Sequence, residues 1–299
     1  MSACGGAGRA VPAKDASVSR DVAQDVAQSV FEVGPDSPAQ DQRDGAGNGG
    51  GDLDASAPPN DVSEEVSVIA PGGPCKFLFC EDFESVTPGS PPDPAIWTRT
   101  TNDIVVDTTD GALGTKKALH ITVVNGFKYI REKKTIPAMG TSFYGRVWFR
   151  IDRRPLEKPN GLFHWTLVSA DELDDYLQGK LIRLGGHIEG DLTNWLRFNF
   201  QTHGNPGETG LDDRSAVLDT KKWYCAEFYD SLPDQEARTW LDGTERTALH
   251  WKNSVPGYTF PASISQMSFG WAESHGINTP WEVWVDEIVL DTKKIGCGN

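Results

Sequence analysis

Short runs in which hydrophobic and polar residues alternate fill the chain from Cys75 onward, and clusters of Gly, Pro, Asn and Asp separate the runs. This period of two is typical of β-strands joined by turns, as in a sandwich or a barrel. The runs predict strands at 77–84, 103–107, 117–124, 128–135, 143–151, 162–168, 180–188, 195–202, 222–229, 237–242, 267–273 and 281–290. A dozen strands in about 225 residues favour one all-β, two-sheet sandwich over two domains. One helical turn is predicted, at 171–176.

Two of these strands have an apolar face and a polar face that combines Arg with aromatic rings. The polar face of the strand at 195–202 carries Trp195, Arg197, Asn199 and Gln201. The polar face of the strand at 143–151 carries Tyr144, Arg146, Trp148 and Arg150. Aromatic rings stack on the CH faces of sugars, and Arg pairs with a carboxylate through two hydrogen bonds, so both faces are candidates for binding a uronic acid polymer. Alternatively, these amphipathic side chains only shield the core beneath an outer sheet face.

Residues 1–72 differ from the rest in composition, with one aromatic residue, Phe31, and many Ala, Asp, Ser and Gly. Such a segment cannot bury a core, so it is predicted to be a disordered acidic leader and linker before a folded domain at 73–299. The leader has 12 acidic and 4 basic residues, a net charge of −8, which leaves −7 of the chain's −15 for the domain. Because neither part is basic, we expect no nucleic-acid partner.

Four cysteines lie in the predicted domain, Cys75, Cys80, Cys225 and Cys297. An even number favours two disulfides in an oxidising compartment, and four reduced thiols in the cytosol are the alternative. Three pairings are open. If the first and last strands are antiparallel neighbours, Cys75 and Cys297 come close together, which leaves Cys80 to pair with Cys225.

A fifth cysteine, Cys4, lies in the sequence Met-Ser-Ala-Cys-Gly-Gly, which resembles the lipobox of bacterial lipoproteins. The apolar stretch expected before a lipobox is absent, so the sequence starts late or the likeness is accidental. The sequence also lacks an apolar run of about 18 residues that could span a membrane. We therefore expect an extracellular or cell-surface monomer, in contact with the membrane only through a lipid on Cys4.

Six short motifs distinguish the predicted domain. They are LFCEDFE at 78–84, WYCAEF at 223–228, WLDG at 240–243, FGWAE at 269–273, WVDEI at 284–288 and IGC at 295–297. Together, and in this order, they resemble the core domain of the fungal cellulose-induced protein and its bacterial, lipoprotein-like relatives. The resemblance implies a concanavalin A-like, antiparallel β-jelly roll related to polysaccharide lyases that cleave uronic acid polymers. A uronic-acid-containing polysaccharide is thus the expected partner.

The segment LIRLGGH at 181–187 stands where these relatives carry an Arg-x-Gly-Gly-Gln run. Arg183 is kept, and His187 replaces the Gln. In β-elimination a cation stabilises the uronate carboxylate and a base removes the C5 proton, so the resemblance implies catalysis by Arg183 and His187. Tyr144 or Tyr229 would supply the acid. The replacement of Gln can also mark a loss of catalysis, which leaves a non-catalytic carbohydrate-binding lipoprotein as the alternative.

Further candidates carry less information. His164 is a candidate for substrate binding, and the pair Gly185 and Gly186 predicts a bulge or a close approach of backbone or ligand. Motifs of zinc hydrolases, nucleotide-binding phosphate loops and serine esterases are absent from the sequence. A glycosidase needs two carboxylates that flank the scissile bond, and Glu227 and Glu273 are available without a supporting motif.

The resemblance also implies a structural calcium ion. Glu84 ends the first predicted strand and Asp286 lies in the last one, close to where the family and its fold relatives hold calcium. Hard carboxylate oxygens and backbone carbonyls from the loop at 107–114 would suit that ion. Alternatively, both acids are ordinary solvated residues at a sheet edge.

Overall fold

A computed structural model of the protein describes residues 75–156, 163–175, 178–204, 207–253, 255–273 and 279–298. The predicted leader and Cys4 lie outside the described residues. The strands are β1 (Phe79–Glu81), β2 (Thr98–Arg99), β3 (Val105–Thr108), β4 (Lys117–Val123), β5 (Gly126–Glu132), β6 (Ser142–Arg153), β7 (Phe163–Asp171), β8 (Lys180–Ile188), β9 (Asn194–Thr202), β10 (Glu208–Val217), β11 (Trp223–Ser231), β12 (Glu236–Leu241), β13 (Thr244–Glu245), β14 (Trp251–Lys252), β15 (Gln266–Glu273) and β16 (Trp281–Asp291). One helical turn, α1, spans Ile136–Met139, and two 3-10 turns span Ala112–Gly114 and Thr247–Leu249.

The strands form two antiparallel sheets. The nine-stranded sheet has the order β13-β12-β11-β6-β16-β4-β3, with β1 also paired to β16 and β14 to β12. The seven-stranded sheet has the order β10-β9-β8-β7-β15-β5-β2. The apolar faces of both sheets contribute to one continuous hydrophobic core. The two-sheet, antiparallel β-jelly roll expected from the sequence is confirmed.

The strand predictions succeed where one face of a strand is apolar. They miss the two-residue strands β2, β13 and β14 and the ten-residue strand β10. This strand lies at the edge of the seven-stranded sheet and reads ETGLDDRSAV, with four charged residues and one glycine. An edge strand with a wet outer face needs few apolar side chains, so its alternation is weak. The predicted helical turn at 171–176 is wrong over 171–175, because Asp171 ends strand β7 and bends follow it, and residue 176 lies outside the described residues.

The packing of Trp165 explains the adjacent glycines of β8. The ring of Trp165 lies 4.1 Å from that of Trp271, which lies 4.9 Å from that of Trp281 on the facing sheet. A side chain at Gly186 would overlap the Trp165 ring, and one at Gly185 would overlap the Trp165 backbone. Strand β7 has a bulge at this point. The glycines therefore permit a close approach of the backbone to Trp165, one of the readings of the sequence.

The two disulfides join Cys75 to Cys80 and Cys225 to Cys297. The expected pairing of Cys75 with Cys297 is wrong, although its premise holds, because β1 and β16 are antiparallel neighbours. The chain turns within the five residues after Cys75 and brings that residue back to Cys80, and the segment after β16 lies against β11, which carries Cys225. Disulfides are stable in oxidising compartments, so both fit an extracellular location.

Within the described ranges, no helix has the length and hydrophobicity needed to cross a bilayer.

Candidate functional site

The predicted site residues divide between the outer faces of the two sheets. The seven-stranded sheet carries His164, Arg183, His187, Trp195, Arg197, Asn199 and Gln201, and the nine-stranded sheet carries Tyr144, Arg146 and Trp148. The expectation that Tyr144, Arg146 and Trp148 share a site with Arg183 is therefore wrong. Alternation shows which side of its own strand a residue takes, but the sheet to which the strand belongs depends on long-range pairing.

Arg146 is a buried structural residue and does not face solvent. Its side chain is 1% exposed and pairs with Glu287 at 3.0 Å, and its second Nη donates to the carbonyl oxygen of Gly296 at 3.3 Å. The ring of Tyr144 packs at a tilt against that of Tyr229, with the ring centroids 4.7 Å apart. Neither tyrosine can act as acid for His187, because both lie on the opposite side of the sandwich.

Polar side chains on the outer face of the seven-stranded sheet form two groups, each around one carboxylate. Glu208, at the start of β10, binds the first group, which is His164, Arg183 and Asn199. One carboxylate oxygen accepts a hydrogen bond from Arg183 Nη2 at 2.8 Å. The other accepts a hydrogen bond from Asn199 Nδ2 and lies 3.2 Å from His164 Nε2. Burial alone would raise the pKa of Glu208, but the charges of Arg183 and His164 and the hydrogen bonds lower it to about 2. This carboxylate is therefore ionised at neutral pH.

Asp212 binds the second group, His187 and Arg197, in a similar way. Its Oδ1 lies 3.1 Å from His187 Nδ1 and accepts a hydrogen bond from Arg197 Nη1 at 2.7 Å. Burial opposes ionisation here too, but the bonds to His187 and Arg197 hold the pKa of Asp212 well below its usual range. A carboxylate on Nδ1 fixes the ring orientation of a histidine and leaves Nε2 to act on other groups.

Gly210 leaves the space that Arg197 needs to contact Asp212. Glu208, Gly210 and Asp212 alternate along β10 and face the same side as Arg197 of β9. A Cβ atom at Gly210 would lie 2.7 Å from Arg197 Nη2. The missing side chain therefore gives the guanidinium the room to reach Asp212.

Trp195 supports His187 and is not an open platform for sugar. It is 3% exposed, the guanidinium of Arg214 lies 5.0 Å from its ring centroid, and the His187 ring packs edge-on at 5.4 Å. Gln201 of the same strand is half-buried. Arg214 thus covers the ring of Trp195, which the sequence predicted to stack on sugars.

Sequence reasoning missed Glu208 and Asp212, because β10 was not identified as a strand. The alternation of Glu208, Gly210 and Asp212 with Leu211 is the signal that could have found them. The two acids considered for a glycosidase lie on different sheets, Glu227 on β11 and Glu273 on β15. Glu227 accepts hydrogen bonds from the backbone of Ile295 and Gly296, so it holds the C-terminal segment.

The proposed calcium ligands lie beside one segment, Ala112 to Lys117. Asp286 Oδ2 accepts hydrogen bonds from Thr115 Oγ1 at 2.6 Å and from the Ala112 amide at 3.0 Å. Glu84 Oε1 accepts hydrogen bonds from the amides of Lys116 and Lys117 at 2.6 and 2.8 Å. Among the described residues, no three His, Cys, Asp or Glu side chains converge on a metal position. The carboxyl oxygens suit calcium by donor type, but burial raises the pKa of Asp286 to about 8, so calcium would have to displace a proton there and share or replace these bonds.

Comparison with known proteins establishes the fold. Neither the protein-family models nor the curated proteins include a match. Among solved structures, the cellulose-induced protein Cip1 is 21% identical, with 74% of this chain and 100% of that chain covered and a TM-score of 0.54. A sialidase is 11% identical over 72% of this chain and 18% of its own, with a TM-score of 0.45.

A carbohydrate esterase from the Shiga toxin-encoding bacteriophage phi24B is 12% identical over 72% of this chain and 97% of its own, with a TM-score of 0.46. The two likenesses with TM-scores below 0.5 carry no functional argument. The chain has the β-jelly-roll fold of the cellulose-induced protein Cip1, which confirms at the level of structure the resemblance first drawn from its sequence motifs.

Proposed function

We propose that this domain binds a uronic-acid-containing polysaccharide on the outer face of the seven-stranded sheet and cleaves it by β-elimination. The observation that carries the proposal is the contact of His187 Nδ1 with the ionised Asp212 at 3.1 Å. Buried ionisable groups with perturbed pKa values cluster at functional sites more often than elsewhere. The printed name of Cip1 links that protein to cellulose, and a link of this chain to polysaccharide is part of the proposal.

The outer face of the seven-stranded sheet would supply two groups for this reaction, a base that removes a proton and a cation that pairs with the uronate carboxylate. His187 Nε2 would take the C5 proton of the uronate, the electron pair would form the C4–C5 double bond, and the C4–O4 bond would break. Arg183 would stabilise the carboxylate as charge spreads into it. The leaving oxygen would take its proton from solvent, because Tyr144 and Tyr229 lie on the other sheet and His164 is already engaged by a carboxylate, that of Glu208.

Replacing His187 with alanine is expected to lower the cleavage rate about 10²–10⁴-fold, the usual contribution of a general base. The domain is incubated with glucuronan, alginate and polygalacturonate, and unsaturated ends are followed by ultraviolet absorbance. His120→Ala is the matched control, because His120 stacks on Trp284 on the nine-stranded sheet. Equal rates for wild type and His187→Ala would contradict the assignment of the base.

Binding without cleavage is the second candidate, and it also rests on a specific observation. Arg183 is already paired with Glu208 and is 6% exposed, and His187 is 4% exposed. A carbohydrate-binding surface does not need an accessible base. Retention of the domain on a polymer without any absorbance increase would favour this candidate and overturn the lyase.

Calcium at Glu84 and Asp286 is a proposal with its own test. A ligand that binds only the native form raises its stability, so calcium is expected to raise the Tm and EDTA to reverse the increase. Glu84→Gln should abolish the response, and Glu282→Gln, on the outer face of β16, should keep it. An unchanged Tm in the presence of calcium would contradict the site.

The proposed location is extracellular or at the cell surface, in agreement with the two disulfides. A lipid anchor on Cys4 stays a prediction, because Cys4 lies outside the described residues.

A further inference from the structure

Three donors from neighbouring strands converge on one carboxylate. They are His164 Nε2 of β7, Arg183 Nη2 of β8 and Asn199 Nδ2 of β9, and the carboxylate is that of Glu208. Both oxygens of Glu208 are engaged, one by Arg183 and the other by Asn199 and His164. Arg183 also donates to the side-chain oxygen of Asn199 at 2.7 Å, which fixes the two donors relative to each other. This arrangement is a preformed binding site for a carboxylate.

Glu208 lies on the solvent side of the two buried donors. Arg183 is 6% exposed and Asn199 is 3% exposed, whereas the Glu208 side chain is 30% exposed, close to the 26% of His164. Any carboxylate that approaches Arg183 from solvent therefore meets Glu208 first. A like charge at that position repels the ligand and also fills its place.

Because of the position of Glu208 in the sheet, moving its side chain away from the three donors would change the structure only locally. Glu208 is the first residue of β10, and β10 pairs only with β9 because it forms the edge of the sheet. The donors, by contrast, lie on β7, β8 and β9, each of which has a paired strand on both sides. The donors thus lie on strands with partners on both sides, whereas Glu208 lies on an edge strand, where its backbone carbonyl also accepts a hydrogen bond from Tyr258 at 3.2 Å.

We infer that Glu208 is an internal substitute for the carboxylate of the ligand and competes with a uronate for His164, Arg183 and Asn199. The inference rests on the proposed function, since it takes the uronate of the polysaccharide as the ligand. It adds that the site is built for a carboxylate and that binding requires the displacement of Glu208.

Glu208→Gln is expected to lower the Kd for polyuronates about tenfold or more. The amide keeps the shape of the side chain but removes the competing charge, so Arg183 is left without its counter-ion. Binding of the whole chain to immobilised glucuronan, alginate and polygalacturonate is measured, with fully methyl-esterified polygalacturonate as a ligand without carboxylates. The esterified polymer should gain nothing. Glu208→Ala is the second variant and should change the affinity in the same direction.

Asp213→Asn is the matched control, because it makes the same change of charge five residues further along β10. Asp213 pairs with Arg246 at 2.7 Å and contacts none of the three donors. Its affinity for the polyuronates should stay within about twofold of wild type.

The outcomes separate the inference from the proposed function. The inference is overturned if wild type binds the polyuronates and both Glu208→Gln and Glu208→Ala leave that affinity unchanged or lower it. Polysaccharide binding itself would then still hold. An equal gain in Asp213→Asn overturns it too, because net charge alone then explains the effect. If wild type and both variants, checked as folded by near-ultraviolet circular dichroism, bind none of the three polyuronates, the proposed function fails as well.

Discussion

Replacing Arg146 with alanine is expected to lower the free energy of unfolding by about 3–5 kcal/mol, the usual cost of breaking a buried ion pair. The guanidinium is 1% exposed and bonds both Glu287 and the carbonyl of Gly296. Its loss leaves the carboxylate of Glu287, itself 4% exposed, without its cation. Polysaccharide binding should stay unchanged, because Arg146 is on the nine-stranded sheet. Urea unfolding measures the first effect and polymer retention the second.

Arg153→Ala provides the control on the same strand. Arg153 pairs with Glu282 at 3.2 Å, but its side chain is 50% exposed, and exposed pairs contribute about 0–1 kcal/mol. A loss of stability no larger for Arg146→Ala than for Arg153→Ala would show that the buried pair is not structural. A loss of sugar binding without a loss of stability would restore Arg146 as a binding residue.

Replacing Asp230 with asparagine is expected to stabilise the protein above neutral pH by about 2–4 kcal/mol. The carboxyl group is 4% exposed between the sheets, and burial raises its pKa from 3.8 to about 7. A small cavity adjoins it, lined by Val168, Ala170, Ile182, Arg183, Leu184, Phe198, Phe228, Arg238, Thr239 and Met267. None of the described side chains donates a hydrogen bond to this carboxyl, so its charge is poorly compensated.

The pH dependence follows from the direction of the pKa change. A group whose pKa is higher in the folded state contributes stability below its unfolded pKa, and the contribution is lost as the pH rises through the folded pKa. For Asp230 the loss runs from about pH 4 to about pH 7. Asparagine stays neutral throughout. Wild type and Asp230→Asn should therefore be similar near pH 4 and differ most near pH 8.

The control for this prediction is Asp234→Asn. Asp234 is an exposed residue in the turn that follows β11, so the same change of charge there should have little effect. Urea unfolding of the three proteins across this pH range gives the comparison. A variant at Asp230 that is no more stable than wild type at pH 8 would contradict the account of a buried, poorly compensated carboxyl.

The sequence carries the information about faces more clearly than the information about sheets. Alternation correctly assigned Leu196 to the core and Arg197 to the outer face, because a side chain's direction along a strand is a local property. The expectation that Tyr144 shares a site with Arg183, which came from the resemblance, is wrong, because strand order arises from pairings between distant segments. The same limit applies to the disulfides. That the first and last strands are neighbours was the premise of the expected pairing and it holds, but the path of the chain after β16 was not predicted.

Charged edge strands are the hardest elements to predict. Strand β10 has no apolar face to reveal it, yet it contributes Glu208 and Asp212, the two carboxylates that organise the candidate site. The many charged residues of β10 therefore explain why the strand was not predicted. They also include the carboxylates of the candidate site. The resemblance to relatives pointed to Arg183 and His187, which both lie on β8, but not to the acids that pair with them.

The claim that polysaccharide contacts the outer face of the seven-stranded sheet is tested most directly by hydroxyl-radical footprinting. The His187→Ala protein is labelled with and without polygalacturonate, so that the polymer stays intact. We expect His164, whose side chain is 26% exposed, to become protected, and Tyr144 and Tyr229 to label equally in both samples. Protection of the two tyrosines with no change at His164 would contradict the account.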